Sequence, residues 1–371
     1  MSVLEDVALK LFGKDVFSKL RDEKWFVARE KPDRLLAVPR RPRVANVFVV
    51  VEAQSELLIR HEGADDFTEF EVAGRSVPGI LNTKMQAVWR RTMLGIQYDY
   101  YEKRGKNLVG TIKGKIADEK YIAKLSSWVC YLAPRARSAA KKEVEVIEPY
   151  CTVCPSCLIF GYAAQEEAGM YNVKSRVEGD VYYGLCTSAK CVVQRTFNAV
   201  DDVTKTTIYG GGEERTGALY RLSLIEPGTV FVGKVALRDM TLAELLLALV
   251  ALARISRVGG RQTHFGRIKV YVPAIVFSGF EKGSGYEVAQ QLLSKGIEKA
   301  GLEEALNTVT SYARSIASSE DIVLVSRDLA DKLRSLELNK LYDIVEQAWL
   351  DVLVFKKSLD MFAYSSTGKK R

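Results

Sequence analysis

Three cysteines near the middle of the chain have the spacing of a metal site. Cys151, Cys154 and Cys157 form a C-x2-C-x2-C pattern. Thiolates at this spacing on a turn can bind one zinc ion, and a structural zinc site has four ligands in all. The fourth ligand must come from another part of the chain. The sequence therefore predicts a structural Zn2+ site that is completed by Cys130, with Cys186 and Cys191 as the alternative fourth ligands.

Two other states stay open for the same thiols. An iron–sulfur cluster also uses cysteine ligands, and the cysteines can remain unliganded. A redox C-x-x-C centre is disfavoured, because no thioredoxin-like strand–motif–helix context surrounds the pattern. Six cysteines in 371 residues do not suggest a secreted disulfide scaffold, and in a reducing compartment a cysteine cluster favours metal.

A second candidate site is a cationic, glycine-rich loop. Arg257, Arg261, His264 and Arg267 surround the pair Gly259-Gly260. Glycine allows a ligand to come close to the backbone, and the cations can neutralise phosphate groups. The loop therefore suits a polyanion, and the alternative is an ordinary loop whose arginines are solvated.

The elements around this loop predict a strand–helix–strand unit. Residues 229–237 are rich in β-branched side chains, which is typical of a strand. A Thr-x-x-Glu capping box begins at Thr241, and residues 245–253 are apolar on every face, which indicates a buried helix. Gly259-Gly260 is predicted to end this helix, and residues 268–272 form the second strand.

The N-terminal half predicts a similar unit. Residues 46–60 contain a buried strand, and a turn is predicted at Pro78-Gly79. The next helix is capped by Asn82 or Thr83, and its free N–H groups together with Lys84 suit a phosphate. Its buried stripe consists of Met85, Val88, Trp89 and Met93.

Together the two halves predict an α+β fold with a split βαβ, ferredoxin-like core. Such a core is expected to bring Lys84 and the glycine-rich loop to one surface. The predicted parts are the first half of the core at 1–94, an insertion with the zinc site at 95–160, the second half at 161–280 with a projecting hairpin at 195–220, and C-terminal helices at 281–371.

Composition bounds the partner and the compartment. The formal net charge of +8 favours a polyanionic partner. No apolar run approaches the ~20 residues that a membrane span needs. The first residues do not resemble a signal peptide, so a cytoplasmic protein without a membrane partner is expected.

Four stretches of the chain resemble a known family. They are VPGILNTKMQAVWRR, CPSCLIFGY, TFNAVDDVTKTT with GALYRLSLIEPGTVFVGKVAL, and VGGRQTHFGRIKV. Their order resembles the RAMP superfamily of CRISPR proteins, and within it the backbone subunit of type I effector (Cascade) complexes, the type I-D variant in particular. The resemblance spans most of residues 44–272, and the C-terminal helices match no motif of the family.

The resemblance implies a fold, a ligand and partners. The fold is an RNA-recognition-motif-like palm with an inserted finger and a projecting β-hairpin thumb. The ligand is single-stranded CRISPR guide RNA, bound without sequence preference by several copies of the chain. The other partners are a large subunit, a second RAMP-type subunit and a guide-processing endonuclease. The residues predicted to bind RNA are Arg41, Arg43, Arg75, Lys84, Arg90, Arg91, Lys205, Arg215, Arg257, Arg261, His264 and Arg267, with Tyr98, Tyr100 and Tyr101 as candidates for base stacking.

The alternative function is a metal-dependent endoribonuclease, because type III relatives cut RNA with an aspartate. Asp65 and Asp66 stand in the comparable region, although their match is poor, and type I backbones are not expected to cut. The two histidines, His61 and His264, form no acid–base motif. A nucleotide-dependent enzyme is disfavoured, since residues 210–212 are glycines that no Gly-Lys-Ser/Thr follows.

Overall fold

The computed structural model describes residues 2–38, 42–60, 66–116, 118–132, 150–163, 171–198 and 219–367. The tip of the predicted hairpin lies outside these ranges. Within them, no helix combines the length and apolarity needed to cross a membrane. Four predicted site residues and one histidine also lie outside them, namely Arg41, Asp65, Lys205, Arg215 and His61.

The described residues form a mixed helix and sheet fold, as the sequence predicts. The strands are β1 (Val44–Ala53), β2 (Thr68–Val72), β3 (Arg75–Ile80), β4 (Val177–Gly179), β5 (Tyr182–Gly184), β6 (Val192–Asn198), β7 (Leu219–Ile225), β8 (Val230–Arg238), β9 (Ile268–Ser278) and β10 (Ile322–Val325). The helices are α1 (Val3–Phe12), α2 (Lys14–Asp22), α3 (Asn82–Lys115), α4 (Glu119–Ser126), α5 (Pro155–Phe160), α6 (Ser188–Cys191), α7 (Leu242–Ala253), α8 (Gly285–Leu293), α9 (Leu302–Ile316), α10 (Leu329–Arg334) and α11 (Leu338–Thr367).

One sheet organises the molecule. Its strand order is β10-β9-β1-β8-β5-β3-β2, and β4 also pairs with β8. β1 lies between β8 and β9 and is antiparallel to both. α7 connects β8 to β9 along the chain. The second predicted unit is therefore a βαβ crossover that β1 splits. β6 and β7 form a separate two-stranded ribbon, which is the stem of the predicted hairpin.

Both faces of the sheet are covered by helices. Val47, Val49 and Val51 of β1 belong to a core that includes the buried residues of α3, α7 and α11. Phe48 and Val50 face the other way, into a core with α8 and α9. This alternation follows from the two-residue repeat of a strand, and it explains why β1 is apolar at every position except Asn46 and Glu52.

α7 confirms most of its predicted features. Thr241 and Glu244 form the capping box, and residues 243–253 are buried. The predicted end of the helix is wrong, because α7 ends at Ala253 with Arg254 as its C-cap in right-handed conformation. Gly259-Gly260 lies in the loop that follows, where other contacts require glycine.

The predicted turn at Pro78-Gly79 is also wrong. Both residues lie within β3, and the turn between β2 and β3 falls at Ala73 and Gly74, which have φ values of 53° and 71°. Gly79 is needed for a close approach, since a Cβ there would lie 2.5 Å from the ring of Phe70. A glycine within a strand can thus indicate tight packing as well as a turn.

Two elements differ from the predicted division of the chain. α3 has 34 residues and runs through the boundary between 94 and 95. Its predicted stripe of Met85, Val88, Trp89 and Met93 is buried. The C-terminal region contains helices as predicted, but it also contributes β10, which pairs with β9 at the edge of the sheet.

Candidate metal centre and nucleic-acid interface

Four cysteines meet in the interior beside α3. The sulfur atoms of Cys130, Cys151, Cys154 and Cys157 all lie within 4.8 Å of one another, and all four residues are buried. The sulfur of Cys157 lies 3.6 Å from that of Cys130 and 3.9 Å from that of Cys151. Tetrahedral ligands at a zinc–sulfur distance of ~2.3 Å are about 3.8 Å apart. The four thiols therefore fit a metal ion, with Cys130 as the fourth ligand.

Local hydrogen bonds place the three clustered cysteines. Cys154 is the N-cap of α5, and its carbonyl oxygen accepts from the N–H groups of Cys157 and Leu158 at 3.1 Å each. Pro155 occupies the first turn, where a missing N–H costs little. This tight turn brings the sulfur atoms of the C-x2-C-x2-C pattern to one side.

Two aromatic side chains hold the remaining parts of the cluster. The Tyr98 hydroxyl donates to the Cys130 carbonyl at 2.8 Å and accepts from the Cys130 N–H at 2.9 Å. The indole N–H of Trp128 donates to the Cys151 sulfur at 3.2 Å. Such donors fix the orientation of ligand residues around a metal.

The thiols of the cluster strongly influence one another. Burial raises the pKa of Cys151 and Cys154. Hydrogen bonds from Cys151, and then from the other two thiols, lower the pKa of Cys130. Several buried thiolates without a cation would be costly, whereas a divalent metal ion stabilises them and releases their protons on binding.

Cys186 and Cys191 do not belong to this cluster. The Cys191 thiol donates to the Thr187 carbonyl at 3.2 Å, beside the root of β6. Both residues are buried and unlinked. The structure thus places Cys130, and neither Cys186 nor Cys191, beside the three clustered cysteines.

The glycine-rich loop is fastened to the segment that follows β1. The N–H of Gly260 donates to the Leu58 carbonyl at 2.7 Å, and that of Gly266 donates to Glu56 at 2.8 Å. Gly259 has a φ of 97°, and a Cβ there would lie 2.4 Å from the Leu58 oxygen. Gly266 is equally constrained, since its Cβ would lie 2.3 Å from the Val258 oxygen. Both positions require glycine because of these close backbone approaches.

The loop also packs against the stem of the hairpin. Phe265 and Phe197 have ring centroids 5.7 Å apart. Leu58, Leu222 and Leu224 complete this small apolar cluster. We call the exposed cations around it the loop–stem surface, and they are Arg60, Arg195, Arg221, Arg261, His264 and Arg267.

Three members of the loop–stem surface were not predicted from the sequence. Arg195 and Arg221 lie on the paired strands β6 and β7, and Arg195 contacts Glu56 at 2.7 Å. Arg60 contacts Asp66 at 2.6 Å. Alternation along the stem could not have indicated both, because Arg195 pairs with Leu222 and Arg221 pairs with Thr196, which places the two arginines on opposite faces of the ribbon.

Four other predicted arginines make contacts within the protein. Arg257 donates to the carbonyl oxygens of Gln262 at 2.6 Å and Phe265 at 2.8 Å, and thereby holds the loop. Arg43 donates to the Lys24 carbonyl at 3.1 Å. Arg75 donates to the Ile297 carbonyl at 2.9 Å. The guanidinium of Arg90 lies 4.9 Å from the ring centroid of Tyr150.

Lys84 and Arg91 are exposed on α3, away from the loop. The start of α3 lies beside Gly179, because a Cβ added at Gly179 would be 2.6 Å from Asn82 Oδ1. Gly179 in turn pairs with Val235 of β8. The loop lies beyond the other end of β8, where Val230 pairs with Glu52. Five residues of strand span about 17 Å. The start of α3 and the loop are thus about 17 Å apart along β8, and a single RNA-binding surface that includes both stays a prediction.

Comparison with known proteins identifies the family. The sequence profile described as Csc2 Crispr matches residues 33–352. The chain belongs to the Csc2 family of CRISPR proteins. No curated protein matches the chain.

Three solved structures are similar to this chain to different degrees. The crystal structure of Thermofilum pendens Csc2 is 21% identical, covers 96% of this chain and 99% of its own, and has a TM-score of 0.64. A CRISPR RNA-guided surveillance complex contains a chain that is 13% identical over 79% of this chain and 92% of its own, with a TM-score of 0.40. A chain of a pre-nicking CRISPR RNA-guided surveillance complex is 10% identical over 80% of this chain and 95% of its own, with a TM-score of 0.43. The Thermofilum protein and this chain share one fold.

Three tyrosines predicted to stack on bases have structural roles in this Csc2-family chain. Tyr100 is fully buried, and its hydroxyl donates to Glu346 at 3.0 Å. The hydroxyl of Tyr101 donates to the Leu125 carbonyl at 2.6 Å. Tyr98 secures Cys130, although 37% of it remains exposed. Of the three tyrosines, Tyr98 thus retains the most exposed surface, Tyr101 is half-buried and Tyr100 has none.

A buried ion cluster was missed by the sequence analysis of this Csc2-family chain. Glu244 accepts from Arg29 at 2.5 Å and from Arg176 at 2.7 Å, and its carboxylate is fully buried. Burial alone raises the pKa of Glu244, but Arg176 and Arg29 outweigh burial and lower it to about 2. Glu244, which belongs to the capping box at Thr241, therefore also connects α7 to the segments that contain Arg29 and Arg176.

Proposed function

We propose that this Csc2-family chain is a non-catalytic subunit that binds single-stranded guide RNA without sequence preference in the cytoplasm. Several copies would lie side by side as the backbone of a type I-D interference complex. Its other partners would be a large subunit, a second RAMP-type subunit and a guide-processing endonuclease. The observation that carries the proposal is the loop–stem surface, on which exposed cations surround a glycine-rich loop.

The loop–stem surface has the chemistry of backbone recognition. Phosphate contacts from arginine give affinity without reading the bases, and a guide-binding subunit must accept every guide sequence. The glycines of the loop keep its backbone compact beside the cations. Since β6 and β7 continue from this surface, the proposed thumb would begin where the RNA is held.

The strand order supports an RNA-recognition-motif-like palm. β1, α3, β5, β8, α7 and β9 follow one another in the chain, and their strands lie in the order β9-β1-β8-β5. This is the order of a ferredoxin-like βαββαβ unit. On this assignment β2, β3 and β10 extend the palm sheet, and the cysteine cluster belongs to an insertion after α3.

For the cysteine cluster we infer a structural Zn2+ ion. Four buried thiols without an open position are typical of structural zinc. When bound, the ion would cross-link the segment around Cys130 to the segment around α5, and it would have no catalytic role.

Asp66 argues against the alternative of a metal-dependent endoribonuclease. One of its oxygens accepts from Arg60 at 2.6 Å, and the other accepts from the Ser223 N–H at 2.7 Å. Because both oxygens of this carboxylate already accept hydrogen bonds, it is poorly available as a ligand for a catalytic metal ion. No observation on the described residues favours nuclease activity.

Charge reversal of the loop–stem surface tests RNA binding. In the Arg261→Glu/Arg267→Glu variant, affinity for a single-stranded RNA of any sequence is expected to fall at least about tenfold. The dependence of log Kd on log salt should become shallower by about one unit for each lost phosphate contact. Fluorescence anisotropy at two salt concentrations measures both effects.

Arg314→Glu, which reverses one charge where the test variant reverses two, is the control for this measurement. Arg314 is exposed on α9, and the neighbouring Tyr312 contacts Ser284 near the start of β1, at the opposite end of the sheet. This variant should lose less than about threefold in affinity, which reflects net charge alone. Equal losses in the two variants would reject the loop–stem surface as the RNA site.

Nuclease assays test the non-catalytic role. We expect no cleavage of guide-like or complementary RNA with magnesium or manganese, because the Asp66 carboxylate is already engaged by Arg60 and Ser223. The measurement is gel analysis of labelled RNA after incubation with purified protein. Metal-dependent cutting that Asp66→Asn abolishes would favour the endoribonuclease instead.

A further inference from the structure

Cys186 and Cys191 form a second, smaller group of thiols, which the proposed function does not use. Both side chains are buried. The Cys186 thiol donates to the Thr187 carbonyl at 3.4 Å, and the Cys191 thiol donates to the same carbonyl at 3.2 Å. The Cys191 sulfur also contacts the Cys186 carbonyl at 3.7 Å. One backbone oxygen therefore brings both sulfur atoms into one small site.

The backbone on both sides of the pair is held by neighbouring segments. Cys186 forms an antiparallel bridge with Lys299. The carbonyl of Cys191 accepts from the Glu226 N–H at 2.9 Å. Between these two anchored points the chain makes a single helical turn, α6. The two thiols are thus held near each other by contacts that do not involve their side chains.

The two thiols differ in acidity. A hydrogen bond with Cys191 lowers the pKa of the Cys186 thiol more than burial raises it, and the charge of Lys299 lowers it further. The hydrogen bond with Cys186, together with burial, raises the pKa of Cys191. The thiolate is the nucleophilic form of cysteine. Cys186 is therefore the thiol that reacts first, and Cys191 is its neutral neighbour.

We propose that Cys186 and Cys191 are a redox-sensitive pair that hydrogen peroxide converts into a disulfide. The Cys186 thiolate attacks one peroxide oxygen, which breaks the O–O bond and leaves a sulfenic acid on Cys186. The released hydroxide takes up the proton that Cys186 had lost. The Cys191 sulfur then attacks the sulfenic sulfur, so that an S–S bond forms, the S–O bond breaks and water leaves with the Cys191 proton. In total two thiols are oxidised, and one peroxide is reduced to two water molecules.

A thin cover gives a small oxidant a route to the pair. α6 has four residues and no side-chain hydrogen bond at its N-cap, and its residues Ala189 and Lys190 are exposed. Short helices are only marginally stable by themselves, so a brief opening of this turn exposes both sulfur atoms. Metal binding is less well supported, because a structural zinc site needs four ligands. No third side chain of the described ranges joins this pair in a metal-ligating group.

A disulfide at this place would act on the stem of the hairpin. β6 begins at Val192, directly after Cys191, and Val192 pairs with Ile225 of β7. The S–S bond would therefore join the root of the stem covalently to the residues that follow β5. We expect hydrogen exchange in residues 186–198 to become slower after oxidation. In a reducing compartment such a disulfide is transient, as is usual for redox-sensing pairs.

Trypsin cuts between the two cysteines, which makes the disulfide directly measurable. Cleavage after Lys190 separates peptide 177–190, which contains Cys186, from peptide 191–195, which contains Cys191. The full chain with its metal is treated with hydrogen peroxide, and free thiols are then blocked with N-ethylmaleimide in denaturant. Mass spectrometry of the digest should find the two peptides joined after peroxide and separate again after reduction with dithiothreitol.

Two single variants assign the roles of the two thiols. In Cys191→Ser the sulfenic acid on Cys186 has no partner, so its labelling by dimedone should rise at least about tenfold over the native protein. In Cys186→Ser the less acidic thiol remains alone, and dimedone labelling of Cys191 should stay within about twofold of the native background. Neither variant should give joined peptides.

The peptide analysis decides whether the pair is redox-sensitive. Joined peptides in the native protein, together with dimedone labelling of Cys186 in Cys191→Ser, would support the proposal. Two results would overturn it. In the first, both peptides stay reduced under the peroxide treatment that oxidises the same protein in denaturant, which would make the thiols inert buried side chains. In the second, Cys186 becomes linked to a cysteine of the metal cluster instead of Cys191.

Discussion

The Cys154→Ser/Cys157→Ser variant is expected to lose its metal and much of its stability. The native protein, purified without chelator, should retain about one zinc ion per chain. With two of the four sulfurs gone, the remaining ligands cannot hold a tetrahedral ion. Structural zinc contributes roughly 10 kcal/mol of binding free energy in small zinc peptides, so the loss in unfolding free energy should exceed about 3 kcal/mol. Elemental analysis and chemical denaturation measure the two effects.

The destabilisation should be concentrated around the metal centre. The indole N–H of Trp349 donates to the Val153 carbonyl at 3.0 Å, and Trp128 packs against Trp349 with ring centroids 4.8 Å apart. Faster hydrogen exchange is therefore expected in residues 119–132 and 150–160. Exchange at the glycine-rich loop should change less, because the loop is held by Leu58 and Glu56.

A matched pair of cysteines outside the cluster provides the control. Cys186→Ser/Cys191→Ser replaces two buried thiols that contact no member of the cluster among the described residues. This variant should keep its metal and lose about 1–2 kcal/mol, as expected for small changes at buried sites. Native protein without zinc, or metal retained in Cys154→Ser/Cys157→Ser, would contradict the zinc assignment.

The Glu244→Gln variant is expected to destabilise the fold by about 3–5 kcal/mol. Glutamine has nearly the same shape, but it leaves Arg29 and Arg176 as buried cations without a counter-charge. Burial lowers the pKa of Arg29 to about 10 even though Glu244 raises it, so without Glu244 the charged guanidinium would be less favourable still. Urea denaturation at neutral pH measures the change in unfolding free energy.

The pH dependence distinguishes a charge effect from a packing effect. The pKa of Glu244 is about 2 in the fold, against 4.5 ordinarily. The folded protein thus holds the proton less tightly than the unfolded chain does. The stabilisation by this carboxylate is present above pH 4.5 and is lost as the pH falls toward 2. The gap in stability between native protein and Glu244→Gln should therefore narrow between pH 4.5 and the lowest pH at which both remain folded.

Neighbouring groups and a control define this comparison. Burial raises the pKa of Asp351 to about 6, and Asp351 accepts from the Thr241 hydroxyl beside Glu244. Because the charge of Glu244 contributes to this rise, Glu244→Gln also changes the titration of Asp351 near pH 6, and the effect of Glu244 itself is measured by the narrowing below pH 4.5. Glu303→Gln removes an exposed pair with Arg327 and should cost less than about 1 kcal/mol at any pH. A constant gap between native protein and Glu244→Gln from pH 7 to pH 3 would reject the charge effect.

Local patterns in the sequence determined much of the candidate chemistry. The C-x2-C-x2-C spacing indicated three metal ligands, and Cys130 was the preferred fourth. The capping box at Thr241 and the buried stripe of α3 were also evident. These features were predictable because their physical causes act within a few residues, through the geometry of a turn or the period of a helix.

Tertiary structure decided how these features are distributed. The glycine-rich loop and the start of α3 are both cationic, yet the pairing of β1 with β8 separates them by the length of a strand. The bridge between Leu57 and Ile225 brings the stem of β6 and β7 to the loop, so that Arg195 and Arg221 stand beside it. No local signal specifies this arrangement, because strand register depends on burial of both faces at once.

The charge of buried groups was likewise fixed only by the fold. From the sequence, Glu244 is a helix-capping residue, and Arg29 and Arg176 are ordinary cations in polar segments. In the structure the three side chains meet out of water. Sequence spacing determines which residues can share a turn or a helix face. Whether distant charges meet, and at what cost, depends on packing between segments more than 60 residues apart, which acts only once the core has formed.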